Sequence, residues 1–157
     1  LRNTPTGIQS RFLVAGGAGN TWVERDDVSF STSYAFTYTF QSDVVDNPFL
    51  KADFVGARAG WEFALEISDN ANFESEMIAD LNLDVTDDLR ADLTNSLSVD
   101  INDSLALKPS LQVLWRNLPS LSEVPLFASD GTDLGATIAT QLKRFDTFFR
   151  LAVVLTL

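Results

Sequence analysis

From Leu89 to Asn117 the sequence alternates between apolar and polar residues for longer than a water-soluble strand requires. In LRADLTNSLSVDI, Leu89, Ala91, Leu93, Leu97, Val99 and Ile101 share one parity, and Arg90, Asp92, Thr94, Ser96, Ser98 and Asp100 the other. After Asn102-Asp103-Ser104 the alternation resumes with Leu105, Leu107, Leu111, Val113 and Trp115 against Ala106, Lys108, Ser110, Gln112 and Arg116. A period of two means β-strand, and Asn-Asp-Ser between two such runs is turn chemistry. Leu89–Ile101 and Leu105–Asn117 each run for 13 residues, against about 5–6 in a typical soluble strand. At roughly 3.3 Å per residue and a tilt near 40°, each arm rises about 33 Å, enough to cross the apolar band of a membrane. The pair reads as a transmembrane β-hairpin.

The same pattern extends along the chain. Ile8, Phe12, Val14 and Trp22 share a parity through a first strand interrupted by Gly16, Gly17 and Gly19. Glycines inside a strand signal a bend or close packing. Beyond the charged turn Glu24-Arg25-Asp26-Asp27, Val28, Phe30, Tyr34, Phe36, Tyr38 and Phe40 face one side, with small Ser, Ala and Thr opposite. Then Val55, Ala57, Ala59, Trp61, Phe63, Leu65 and Ile67 oppose Gly56, Arg58, Gly60, Glu62 and Glu66. After Ser68-Asp69-Asn70, Phe73, Met77, Ala79, Leu81, Leu83 and Val85 face outward, with Asn72, Glu74, Glu76, Asp80, Asn82 and Asp84 inward. Phe149, Leu151, Val153, Leu155 and Leu157 alternate in the closing strand. No helical period separates these runs, so the expectation is an all-β, antiparallel up-and-down transmembrane β-barrel of outer-membrane type.

The long connections, 41–50 and 118–145, fall on one side if the C-terminus is periplasmic, and the tight turns 24–27, 68–70 and 102–104 fall on the other. Bacterial barrels have short periplasmic turns and longer external loops. Seven long strands are an odd number, whereas single-chain bacterial barrels have an even one. The expectation is a single barrel domain over 1–157 that lacks strands upstream of Leu1 and belongs to a larger barrel. An eighth strand at ATIATQLKR, inside the last loop, is the alternative repair. Alternation alone does not say which face points inward, so a soluble barrel is weighed as well. Against it stand the strand lengths, the sparse turns and the scarcity of exposed lysine.

The segment SLSVDINDSLALKPSLQVLWRNLPSLSEVPLF, followed by FDTFFRLAVVLTL, resembles the end of the domain-of-unknown-function 481 family, the salt-induced outer-membrane proteins. The shared features are a polar-turn hairpin at Leu97–Arg116, the step Asn117-Leu118-Pro119, and a terminal strand from Asp146-Thr147. The resemblance covers residues 50–157 well and the first 40 loosely. It implies an outer-membrane barrel of Gram-negative-type bacteria with no established activity, and further strands before Leu1. The last strand also resembles the outer-membrane assembly signal, with Arg150, Ala152, Leu155 and Leu157 in its places. Ala for Gly and Leu for both aromatics depart from that signal.

Chemistry is sparsely represented. Of 157 residues none is His or Cys, and the net charge is −11. Such a charge argues against nucleic acid, whose phosphates call for basic patches, and the missing His and Cys exclude a Ser–His centre and a thiolate metal site. Glu74, Glu76, Asp80 and Asp84, with Glu62 and Glu66, crowd carboxylates together, which can support acid–base work. The plainer reading is a polar lumen in which they and Asp92 meet Arg58, Arg90, Lys108, Arg116 and Arg150. Asp130-Gly131-Thr132-Asp133 is too short for a dedicated calcium loop. Neither a metal nor a cofactor is expected. Tyr34, Tyr38, Trp61 and Trp115 face the lipid side as interfacial aromatics. The expected partners are outer-membrane lipid, the barrel-insertion machinery and other envelope proteins, and no nucleic acid.

Two non-enzymatic functions follow. The first is a small porin-like passive channel whose acidic lumen favours cations. The second is a membrane anchor, or an outer-membrane component of a larger assembly, with a side-chain-filled lumen.

Overall fold

The computed structural model describes residues 8–43, 51–102 and 104–155, and these form nine strands and no helix. Seven make one antiparallel sheet. They are β1 (Ile8–Glu24), β2 (Val28–Asp43), β3 (Asp53–Ser68), β4 (Ala71–Asn82), β5 (Leu89–Asn102), β6 (Leu105–Arg116) and β9 (Phe145–Leu155), paired in that order. Each pairs with the next in sequence except across the β6–β9 step, as an up-and-down meander requires. The tight turns fall where Asn, Asp and Ser cluster. At one of them the Asn102 carboxamide oxygen accepts the Ser104 N–H at 3.0 Å.

The register fixes which side chains share a face. Tyr34 lies opposite Ala59, Ala59 opposite Ala79, and Ala79 opposite Ala91. Arg58 lies opposite Asp80, and Asp80 opposite Arg90. The two parities therefore remain on separate faces from strand to strand. Contacts between distant strands show which face is concave. Arg90 on β5 donates to the Gln41 side-chain oxygen on β2 at 3.0 Å, and Arg11 on β1 comes within 3.9 Å of Asp80 on β4. Each of these pairs has two strands between its partners, so the sheet curls and the polar parity lies inside the curl.

Burial is consequently inverted relative to a soluble protein. Phe54 is the only buried hydrophobic side chain among the described residues, whereas Thr37, Thr39, Gln41, Asn82, Asp88, Arg90, Ser96 and Ser120 are all buried. Phe36 is 72% exposed and Leu151 60%. The concave glycines allow the curvature. A Cβ at Gly60 would lie 2.7 Å from the Met77 backbone oxygen. Gly60→Ala is therefore expected to cost about 1–3 kcal/mol, the usual cost of overpacking, read as a lower urea midpoint in detergent micelles. An unchanged midpoint would mean that the β3–β4 approach is not tight there.

Three expectations are corrected. The 118–145 tract is not a loop. It holds β7 (Leu121–Phe127) and β8 (Asp133–Gln141), which form their own two-stranded sheet. Backbone bonds from Arg116 N–H to Arg144 O and from Leu142 N–H to Ser120 O join this hairpin to the end of β6–β9. The proposed eighth strand does exist, but it pairs with β7 and adds nothing to the seven-stranded sheet. Pro125 tolerates this position because a two-stranded ribbon has free edges.

In the second correction, β4 ends at Asn82 and leaves Asp84 in the following turn. The Asn82 carboxamide oxygen accepts the N–H groups of Asp84 and Val85 at 2.9 and 3.1 Å, which bends the chain away. In the third, β2 continues through Asp43, so the 41–50 connection begins later, and residues 44–50 lie outside the described ones. At the tip of β7–β8, Asp130 accepts the Thr132 N–H at 2.9 Å, which holds its carboxyl below the ordinary carboxylate range.

Candidate functional site

The concave face is the one place where charged side chains converge, and the register divides it into two zones. Toward the 83–88 turn and the β7–β8 hairpin lies a basic zone. Arg58 donates through Nε and Nη2 to both carboxylate oxygens of Asp80, at 2.8 and 2.9 Å. This is the two-pronged guanidinium–carboxylate geometry that gives strong, directional pairs. Arg90 makes the same paired contact with Asp88, at 2.8 and 2.7 Å, and places its remaining arm on Gln41. Its guanidinium also sits 5.8 Å from the centre of the Phe54 ring, within cation–π range. Asp88 is 1% exposed and is further held by its backbone carbonyl, which accepts the Asn82 N–H. Arg116 donates to the Ser120 hydroxyl at 3.1 Å.

Toward the opposite end the zone is acidic. Glu62 lies opposite Glu76, and Glu66 opposite Asn72. The Glu74 carboxylate accepts Lys108 Nζ at 2.8 Å and the Ser96 hydroxyl at 3.1 Å, reaching two strands across. Between the zones Gln112 bridges β5 and β9. Its Nε2 donates to both Asp92 oxygens at 2.9 Å, and its oxygen accepts Arg150 Nη2 at 2.9 Å.

The structure thus brings Arg58, Glu62, Glu66, Glu74, Glu76, Asp80, Arg90, Asp92, Lys108, Arg116 and Arg150 to the concave face. Asp84 is the exception. It sits in the 83–88 turn, with its carboxylate 3.9 Å from Lys51 Nζ. Sequence reasoning missed Arg11, Gln41 and Asp88. Arg11 and Gln41 had a usable signal in their parity, since each falls opposite its strand's apolar set. Asp88 stands just before β5 in what reads as an ordinary polar turn.

On the convex face Tyr34 and Trp61 occupy the middles of β2 and β3, whereas Tyr38 and Trp115 lie toward the hairpin end. The Tyr38 hydroxyl donates to Asp53 at 2.8 Å, and Trp61 Nε1 approaches the Ser75 hydroxyl at 3.4 Å. Of the assembly-signal positions, Arg150, Ala152 and Leu155 lie on β9. Leu157 lies outside the described residues. Among those residues no group of three or more acidic side chains is arranged to hold a metal ion.

No curated protein matches the chain. The family model described as protein of unknown function, DUF481, matches residues 1–124. That match takes in β1–β6 and ends within β7, so it reaches the first strands, where the sequence resemblance was loose. The chain belongs to the DUF481 family.

Proposed function

We propose that this chain forms the wall of a bacterial outer-membrane β-barrel that serves as a small porin-like passive channel. The observation that carries the reading is the inversion of the sheet, with apolar side chains on the convex face and polar ones within the curl. A continuous apolar surface of this extent suits hydrocarbon, and a charged concave face suits water. Strands of 11 to 17 residues supply the length a bilayer demands. The β7–β8 hairpin and the 83–88 turn would then face outward, with the tight turns and the C-terminus periplasmic. The reading is non-enzymatic. Its partners are outer-membrane lipid and the machinery that inserts such barrels.

Closure has to satisfy the two ends of the sheet. Among the described residues β1 and β9 stand at the ends of the paired order, and as first and seventh strands of an antiparallel sheet they run in the same direction. Unpaired edges are not tolerated in hydrocarbon. Antiparallel closure therefore calls for an odd number of further strands between them.

A second reading, a membrane anchor with a filled lumen, is favoured by the Gln41–Arg90 and Arg11–Asp80 contacts across the concavity. Planar-bilayer recording of the protein extracted from native membranes separates the two. Discrete, ohmic conductance steps are expected for the channel. A folded, inserted protein that never conducts would leave the anchor.

A further inference from the structure

The basic zone has a regular construction. Arg58 on β3 lies opposite Asp80 on β4, Asp80 opposite Arg90 on β5, and Arg90 opposite Arg116 on β6. Three guanidiniums and one carboxylate thus form a single row across four strands. Arg11 reaches the same Asp80 from β1, its guanidinium 3.9 Å from that carboxylate. In a chain of net charge −11 with 11 basic residues, four arginines gather around Asp80 and Asp88. Like charges directly opposite one another in a ladder cost stability. The side chains of Arg11 and Arg90 are only 21% and 10% exposed, so water screens them weakly.

Each guanidinium offers five N–H donors in a rigid fork suited to carboxylate and phosphate oxygens. In Arg58 and Arg90 the contacts to Asp80, Asp88 and Gln41 occupy only part of that capacity. Arg11 and Arg116 also hold further contacts of their own. A second feature of the same face is Thr39, two residues along β2 from Gln41. It is fully buried, and its hydroxyl has no hydrogen-bond partner among the described residues.

We propose that the row Arg58, Arg90 and Arg116, together with Arg11, is a binding site for small solutes bearing a phosphate or carboxylate group. The proposal rests on the barrel reading for the solute's access. Glu62, Glu66, Glu74 and Glu76 occupy the other zone of the face and repel anions, so binding is confined to the hairpin end. The barrel wall keeps lipid headgroups on its far side, and the ligand is a free solute.

The test is calorimetric titration of the full chain, folded in neutral detergent, with inorganic phosphate. Saturable binding is expected, weakened at least tenfold by Arg116→Gln and by Arg58→Gln. Glu123→Gln, on the exposed hairpin, is expected to bind as the parent does. Heat-modifiable gel migration verifies that each variant is folded, and Arg90 is left intact because Asp88 depends on it. Absence of saturable binding, or binding as tight as the parent's in both arginine variants, overturns the site. Anionic phospholipid added to the micelles is expected not to compete, and competition would overturn the assignment to a free solute. Arginine-dependent binding by a barrel that never conducts would sink the channel and keep the site. Conductance together with arginine-independent binding would do the reverse.

Discussion

Leu93→Arg is expected to destabilise the folded protein in phospholipid vesicles by about 2–4 kcal/mol, the cost of a cation on the lipid face near mid-membrane. Thr94→Arg, one residue further on, is expected to cost less than about 1 kcal/mol. The difference comes from the period of two. Leu93 sits mid-strand on the convex face, between Met77 and Val113, whereas Thr94 sits on the concave face between Glu76 and Gln112. An arginine at 94 would meet the Glu76 carboxylate in a hydrated lumen, and one at 93 would meet hydrocarbon. Urea titration of vesicle-embedded protein, followed by tryptophan fluorescence, reads both values. Equal costs, or the reverse order, would contradict a lipid-facing convex surface and with it the channel reading.

How much of this was legible in the sequence depends on the range of the interaction. The faces of β2 to β6 could be read residue by residue, because alternation is local and every polar side chain on one parity reinforces the same assignment. The limits of β4 could not. Alternation runs on through Leu83 and Val85, and only the Asn82 side chain, folding back onto the next N–H groups, ends the strand. Of the β7–β8 hairpin only the second strand was legible, at ATIATQLKR, and the first was hidden for a different reason. Pro119, Pro125 and Gly131 read as loop residues, and apolar Val124 shares a parity with Ser122 in the pairing with β8. The pairing of Leu121–Phe127 with Asp133–Gln141 depends on the turn at 128–132, closed by Ala128 and Thr132. The least legible part was the basic zone. Arg90 and Gln41 are 49 residues apart and meet only because the sheet curls, a property that the alternation of a single strand does not encode.

The Asp88–Arg90 pair is buried on the inner side of that curl. Asp88→Ala is expected to cost about 3–5 kcal/mol, the range for breaking a buried ion pair by removing one partner. Arg90 would keep its charge and its place opposite Arg116, with the Gln41 oxygen and the Phe54 ring as its remaining contacts and the facing Asp80 already engaged by Arg58. Asn82, whose Nδ2 lies 3.4 Å from Asp88 and is buried with it, would lose that contact too. Removing both charges should restore most of the loss. In Asp88→Ala with Arg90→Met no uncompensated charge remains, the repulsion with Arg116 is gone, and replacing a buried pair by apolar groups is often close to neutral. The cycle is completed with Arg90→Met alone, and the four proteins are compared by urea midpoint in the same micelles. A double variant clearly more stable than Asp88→Ala would show that Asp88 acts by neutralising Arg90. If the double variant were as unstable as Asp88→Ala or worse, the loss would instead come from the turn, which the Asp88 carboxylate braces through Asn82 Nδ2.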